Sequence, residues 1–300
     1  MWGIDYTTHD IPHFEFGESE NGSVLNDYFI KLKFIKFPLI SLIVDDKREI
    51  KTAVKRHYPD CIIQLCTKHY LSKISRKLKI DYIKIKIRAR EKQIDQLFDN
   101  TIKNDYLPYT RPWSIKRITK LINEVLELIF KYEILLDFQK NIKSIIYAED
   151  YQTAIYRIKS LENYFIPRVL DKNRMKNKFN KEHICIVKKL FNDFLENKKY
   201  LLNYLKHPNL NIPRTTNLIE GLNSQLELRI NSIKGFELDK TAYHYINAWT
   251  IKRRFTKFTD CKKKFKKLNK KNPLECAGVD VSNINDWVDF LKNLAIENGE

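Results

Sequence analysis

Glycine is scarce in this chain, with seven residues in 300. So few glycines leave no phosphate-binding loop and no dinucleotide fingerprint, because both motifs need several glycines at fixed spacing. No apolar run approaches the roughly 20 residues that a membrane-spanning helix requires. The first residues also lack the basic and apolar stretches of a secretory signal. We therefore expect neither a glycine-cradle nucleotide enzyme nor a protein that enters a membrane.

Cysteine is sparse as well, and the five residues are odd in number and scattered. Without a secretory signal, this usage indicates reduced thiols in a cytoplasmic, nucleoid-associated setting rather than a disulfide framework. No Gly-x-Ser-x-Gly elbow is present, so an esterase-type nucleophile is excluded.

Basic residues are abundant: 55 lysines and arginines face 37 aspartates and glutamates, a formal net charge of +18. An excess of this size indicates a polyanionic partner, with nucleic acid first and an anionic membrane surface second. The hydrophobic fraction of 43% supports a packed interior and argues against general disorder.

The first part of the chain has the pattern of an α/β segment. Residues 13–16 alternate as a strand would, and residues 4–8 are expected to pair with them in a hairpin. The apolar run 39–44 predicts a buried strand, 47–57 has helical spacing, and 61–66 predicts a second strand. Strand, helix and strand in so short a stretch predict a parallel pair with a crossover helix.

After residue 66 the pattern becomes helical. Residues 118–130 and 187–195 have the apolar spacing of amphipathic helices, and two prolines in 105–112 predict a loop. The simplest architecture is an α/β core interrupted by a helical insertion, and the alternative is two consecutive domains with the second all helical. The predicted boundaries are 1–66 for the first part of the core, 67–205 for the insertion, 206–260 for the rest of the core, and 261–300 for a basic segment and C-terminal helix.

Glu220 is the first candidate site residue. It follows a loop and is expected one turn inside a helix, and Gly221 leaves room beside its carboxylate. One face of that helix is polar, with Asn217, Glu220, Asn223 and Ser224. The alternative is structural, because Asn217 and Glu220 have the spacing of a capping box.

Asp45 and Asp46 follow the predicted buried strand 39–44, where α/β folds place ligand sites. We assign Asp46 to the N-cap of the next helix and Asp45 to chemistry. One carboxylate at a strand end and another on a distant helix, here Glu220, is the arrangement of a two-metal phosphoryl-transfer site.

Cys66 and His69 form half of a zinc-ligand pattern. A tetrahedral site needs two more ligands, and neither the His183 and Cys185 pair nor His207 has a convincing spacing. The alternative is a buried thiol and a helix-start histidine that organise the junction between the strand and the insertion.

A dense basic run near the C-terminus is the candidate DNA contact. Aromatic residues recur within it at near-helical intervals, which predicts a helix with an apolar face on the protein and a cationic face on phosphate. The alternatives are a solvated surface helix or a helix that binds a membrane surface or a partner. The predicted DNA-binding residues are Arg253, Arg254, Lys257, Lys262, Lys263 and Lys264.

A second basic stretch alternates with isoleucines inside the predicted insertion. Its spacing places the cations on one face of a strand or spreads them around a helix. Phosphate contact and a solvated face are both open for these residues, which are Lys84, Lys86, Arg88, Arg90 and Lys92.

Two blocks of the sequence carry a family resemblance. Residues 45–50 with 57–69 resemble the second catalytic aspartate and the Cys-x-x-His segment of mutator-type (MULE-like) insertion-sequence transposases of the DDE class. Residues 213–224 are similar to the segment with the catalytic glutamate of that family, and the Gly235-Phe236 pair follows as it does there. The resemblance covers the chain from about Trp2 to Phe258.

The resemblance implies a ribonuclease-H-like core split by an all-helical insertion, with two Mg²⁺ or Mn²⁺ ions. Asp45 and Glu220 would be catalytic metal ligands, and Cys66 and His69 would be a structural motif. The implied reaction is cleavage of double-stranded DNA at transposon ends, followed by attack of the freed 3′-hydroxyl on target DNA. The resemblance also implies a homo-oligomer.

The chain departs from the family at its N-terminus. The family site has three carboxylates, and residues 1–5 resemble the second strand of the core, so we expect the first aspartate upstream of Met1. Asp5 is a possible substitute, although its spacing is unusual. The DNA-recognition region that precedes the core in the family is missing too. We therefore expect a truncated copy, and a remnant that binds DNA without cutting it is the alternative function.

Overall fold

The structure, a computed structural model, describes residues 1–17, 21–103, 112–170, 181–233 and 235–297. The chain divides into two compact units. The first joins Met1–Ile63 to Thr215–Glu300, and the second is the continuous stretch Gln64–Arg214. Helix predominates, with a small two-stranded parallel sheet, so the chain is a mixed α/β protein rich in helix.

The N-terminal segment contains less strand than its alternating pattern predicts. Residues 4–8 and 13–16 form no strand, and their neighbourhood contributes a single antiparallel bridge between Trp2 and Phe14. The carbonyl and carboxylate of Asp5 instead accept hydrogen bonds within a tight turn. The prediction of a hairpin is therefore wrong beyond one pair of residues, because the turn redirects the chain.

The predicted strand–helix–strand unit is present. Its elements, with the helix that precedes them, are α1 (Gly22–Phe34), β1 (Ser41–Val44), α2 (Arg48–His57) and β2 (Ile62–Leu65). Ile62 N donates to Ile40 O at 3.0 Å where the two strands begin to pair. The amphipathic helix α2 buries Ile50 and Val54 and packs against α1. Pro59 follows α2 and cannot continue it.

The second unit contains only helices and turns after β2, among its described residues. They are α3 (Thr67–Leu78), α4 (Ile80–Lys103), α5 (Pro112–Ile146), α6 (Tyr151–Ser160), a π-helical turn (Leu161–Phe165), α7 (Ile166–Leu170), α8 (Lys181–Leu201), α9 (Asn203–Lys206) and a 3₁₀ turn (Pro208–Leu210). The predicted helices at 118–130 and 187–195 are confirmed within α5 and α8. The loop predicted at 105–112 lies outside the described residues except for Pro112, which begins α5.

The core of the second unit is built on the C-terminal half of α5. Five of its side chains are fully buried, and they are Leu135, Phe138, Ile142, Ile145 and Ile146. α5 packs against α3, α6 and α8, and it also runs beside α4. Both α4 and α5 are long, yet no described helix combines the length and the apolar character needed to cross a membrane.

The remainder of the first unit is helical. It contains α10 (Asn217–Ser232), α11 (Asp239–Phe255), a 3₁₀ turn (Lys263–Leu268), α12 (Pro273–Cys276) and α13 (Trp287–Glu297). The rings of Phe255 and Phe290 lie 5.4 Å apart and join α13 to α11. A capping box between Asn272 and Glu275 begins α12.

Candidate metal and nucleic-acid sites

Asp45 directly follows β1, and its backbone oxygen accepts a hydrogen bond from Lys47 N at 2.7 Å. Asp46 does not cap α2, because the N-cap residue is Lys47 and no side chain caps that helix end. The assignment of Asp46 to the cap is therefore wrong. Its carboxylate forms a half-buried ion pair with Lys51, at 2.7 Å between Oδ1 and Nζ, and this pair ties the strand end to α2.

Glu220 lies in the first turn of α10. The helix begins at Asn217, so the N-cap residue is Thr216, and the predicted cap at Asn217 is one residue out of register. Thr216 Oγ1 donates to Glu220 Oε1 at 2.9 Å, which holds one carboxylate oxygen in a fixed position. The N-terminal end of a helix favours negative charge, so an acidic residue suits this position.

The two faces of α10 differ as the sequence predicts. Leu222 and Leu226 are buried, whereas a methyl group added at Gly221 would meet no other atom within 4 Å. On the polar face Asn223 accepts a hydrogen bond from Trp2 Nε1 at 2.7 Å, and Ser224 donates to the backbone oxygen of Glu220. Space is therefore open beside Glu220, and its polar neighbours have structural partners.

The first unit contains both predicted carboxylates, Asp45 and Glu220. Two carboxylate side chains match the oxygen ligands that Mg²⁺ prefers, so the donor chemistry fits the implied ion. Asp5 is a poor third ligand, because Oδ1 accepts hydrogen bonds from Thr7 N, Thr8 N and Thr8 Oγ1 at 2.7 to 2.9 Å. Burial acts to raise the pKa of Asp5, but these hydrogen bonds outweigh it and lower the pKa.

Cys66 and His69 lie at the start of α3. Cys66 is buried and is the N-cap residue, and His69 is half-buried in the first turn. The thiol sulfur and a ring nitrogen of His69 lie within 4.8 Å of each other. Within the described part of the second unit, no further histidine, cysteine or acidic residue joins this pair, and this includes His183, Cys185 and His207.

The predicted basic helix ends sooner than its pattern indicates. α11 stops at Phe255, and Lys257 and the lysines that follow lie in a loop and a 3₁₀ turn. Arg254 forms a two-point ion pair with the buried carboxylate of Asp10, at 2.7 and 2.8 Å. The guanidinium of Arg253 lies 5.1 Å from the ring of Phe258, and burial lowers its pKa. These two predicted DNA contacts are thus half-buried and engaged by groups of the protein itself.

Asp10 carries no motif, so nothing in the sequence singles it out. Its partner Arg254 is distant in the chain, and no local spacing could have linked the two. The same is true of Trp2: its ring stacks on Trp249 at 5.5 Å while its Nε1 holds Asn223. Both contacts join the N-terminal segment to α10 or α11, where long-range packing decides the geometry.

The second basic stretch lies on α4, so its cations spread around a helix. A groove of about 610 Å³ between α4 and α5 includes Lys84 and Arg88 together with Glu133 and Asp137 from α5. Arg90 also forms an ion pair with Glu124 at 3.2 Å. Acidic residues of α5 therefore neutralise part of this stretch, which favours a solvated face over a phosphate contact.

Comparison of the chain with protein-family models, with curated proteins and with solved structures finds no match.

Proposed function

We propose that this chain is a DDE-type transposase, or the catalytic portion of one, that cleaves and joins DNA with the help of divalent metal ions. The residues that carry the proposal are Asp45 and Glu220, which match the second aspartate and the glutamate of mutator-type insertion-sequence transposases. A ribonuclease-H-like core around the β1–β2 sheet is part of the same proposal.

The observation that supports it best is the discontinuous first unit. Asp45 follows β1, Glu220 lies in the first turn of α10, and a continuous helical unit separates them in sequence, yet both belong to one compact unit. A core interrupted by a helical insertion, with one carboxylate on each side of it, is the arrangement that the family resemblance implies. Unrelated carboxylates need not have this placement.

The proposed roles follow from the local contacts. Asp45 and Glu220 would hold Mg²⁺ or Mn²⁺, which when bound activates an attacking oxygen and stabilises a leaving one. Thr216 positions Glu220 through its hydrogen bond. The Asp46–Lys51 ion pair fixes the backbone beside Asp45. Direct attack by water or a DNA 3′-hydroxyl, with no covalent enzyme intermediate, is the proposed route.

DNA is the proposed substrate because the chain has a net charge of +18, and cationic side chains provide the sequence-independent part of DNA affinity. Double-stranded transposon ends and target DNA are the two substrates that the resemblance implies. A homo-oligomer and a location at the nucleoid belong to the same proposal.

The test is nicking of supercoiled plasmid DNA with Mg²⁺ or Mn²⁺. Glu220→Gln keeps the shape and the acceptor oxygen for Thr216 but removes the charge, so we expect the rate to fall by about a thousandfold. Glu227→Gln is the matched control, since Glu227 is an exposed carboxylate on the same helix. Equal nicking by wild type and Glu220→Gln would contradict the site assignment.

A DNA-binding remnant is the second candidate, and the environment of Asp5 favours it. Because that carboxylate is engaged in its own turn, it is a poor replacement for the first aspartate of the family. This candidate predicts salt-sensitive DNA binding by the wild-type chain without metal-dependent nicking. Robust nicking would exclude it.

A further inference from the structure

Residues 258–271 form a closed loop, which we call the lysine loop. Phe258 N donates to Lys271 O at 2.9 Å, and Lys270 N donates to Phe258 O at 2.8 Å, so the two ends are joined by backbone hydrogen bonds. Cys261 N donates to Asn269 Oδ1 at 2.8 Å, and Asn269 Nδ2 donates to Cys261 O at 3.2 Å. The loop is therefore closed twice and has a defined shape.

Apolar side chains anchor the lysine loop to the N-terminal segment of the first unit. Phe258 and Leu268 are buried, and the rings of Phe258 and Phe265 lie 5.6 and 4.6 Å from the buried ring of His9. Lys264 Nζ lies 4.7 Å from the ring centre of Tyr6. The apolar side chains of the loop pack toward the protein, and the exposed side chains are the lysines together with Thr259 and Asp260.

The exposed charge of the lysine loop is nearly all positive. Asp260 is the single acidic residue in 258–271, and the loop contains seven lysines. Among the residues that the structure describes, none of these lysines forms an ion pair. The exposed lysines are Lys262, Lys263, Lys264, Lys266, Lys267, Lys270 and Lys271.

We propose that the lysine loop docks on the phosphate backbone of double-stranded DNA. Un-neutralised lysines on a closed loop release counterions when they meet closely spaced phosphates. A membrane surface fits less well, because peripheral binding needs apolar side chains to insert and those of the loop are directed inward. Single-stranded DNA also fits less well, because the loop exposes no free aromatic platform on which bases could stack.

This inference deepens the proposed function and depends on it only for the identity of the polyanion. It reassigns the DNA contacts, since Arg253 and Arg254 are half-buried against groups of the protein, whereas the lysines of the loop are exposed. Lys257, which precedes the loop and is also exposed, extends the same surface.

The experiment measures binding of a fluorescein-labelled DNA duplex of random sequence at a series of salt concentrations, without divalent metal. All variants carry Glu220→Gln, so that DNA cleavage cannot affect the measured binding. The loop variant is Lys262→Gln, Lys266→Gln and Lys267→Gln. A plot of log affinity against log salt concentration has a negative slope. We expect its magnitude to decrease by about 2 to 3 in the loop variant, since each lost phosphate contact contributes roughly 0.9.

The matched control removes three exposed charges elsewhere in the first unit, with Lys33→Gln, Arg229→Gln and Lys240→Gln. It lowers the net charge equally and should change the slope by less than one unit, because dispersed charges make no phosphate contact. Replacing the same three loop lysines by arginine should keep the wild-type slope. Because the arginine variant preserves the charge, a wild-type slope would show that substitution of these three positions does not by itself disturb the loop.

An equal slope change in the loop and control variants would overturn the proposal, since only net charge would then matter. The proposal would also be overturned if the loop variant lost binding to phosphatidylserine vesicles but bound DNA as the parent chain does. That result would identify an anionic lipid surface as the partner. The loop variant could show the expected change in slope while the chain fails to nick plasmid DNA. In that case this inference would stand, and only the catalytic proposal would be removed.

Discussion

At the scale of single residues, His9 is a buried side chain on an unusual backbone conformation. It is buried between Phe258 and Phe265, and its backbone has a left-handed φ of 58°. Its Nε2 has no hydrogen-bond partner among the described residues. Burial lowers its pKa, the nearby Arg253 lowers it further, and Asp5 opposes the shift.

The lowered pKa of His9 sets a direction for stability against pH. An unfolded imidazole titrates near 6.5, so below about this pH the unfolded chain binds a proton that the folded chain does not. The free energy of unfolding therefore falls as the pH drops through about 6.5 and continues to fall until the folded pKa is reached. Above that window the contribution is fully present.

We predict that His9→Asn weakens this pH dependence. Asparagine tolerates the left-handed backbone, and it does not titrate. Urea unfolding at about pH 7.5 and about pH 5.5, on either side of the ordinary imidazole pKa, should show a smaller difference than in wild type. Part of the difference should persist, because burial and nearby cations also lower the pKa of His57. The control variant is His244→Asn, at an exposed histidine, and it should show the same difference in unfolding free energy between the two pH values as wild type.

Arg254 shows what residue type alone leaves undecided. The sequence places it in a cationic run with the lysines, and its pattern predicts a phosphate contact. In the structure Arg254 pairs with the buried carboxylate of Asp10, and removal of the arginine would destabilise the fold by leaving that carboxylate unpaired. A charge run therefore predicts a basic surface correctly while leaving open which of its members reach solvent.

At the scale of elements, local spacing predicted most of the helices and both strands. β1 and β2 are apolar runs, and α2, α5 and α8 have clear periodicity, so burial of one face decides their structure. The pattern was misleading in two places. The N-terminal hairpin is reduced to one bridge, and α11 ends at Phe255 although aromatic spacing continues. Tertiary contacts of the N-terminal segment decide both, and no local pattern records them.

The closure by Asn269 is the element-scale feature that we expect to matter for DNA binding. Asn269→Ala removes two hydrogen bonds to Cys261 and leaves the charge of the lysine loop unchanged. We predict about a threefold to tenfold loss of DNA affinity with little change in salt slope, because the open loop must be ordered on binding at a cost of about 1 kcal/mol. Asn285→Ala, on an exposed side chain outside the loop, is the control. A large change in slope would mean that the contacts themselves had moved.

At the scale of the whole molecule, the main finding is a first unit made from both ends of the chain. The sequence analysis placed a helical insertion at 67–205, and the second unit, Gln64–Arg214, contains that range. The α/β character was predictable because β1, α2 and β2 are close in sequence. Whether Asp45 and Glu220 act together was not predictable from spacing, since their relation depends on how distant segments pack.

The most direct test of the account is Mn²⁺ binding, followed by electron paramagnetic resonance of the purified chain. If Asp45 and Glu220 are ligands of one metal site, Asp45→Asn and Glu220→Gln should each weaken Mn²⁺ binding about tenfold or more, because each removes a charged oxygen ligand. Asp60→Asn and Glu227→Gln, on exposed carboxylates of the same unit, should leave the affinity unchanged. Wild-type affinity in both site variants would contradict the central claim.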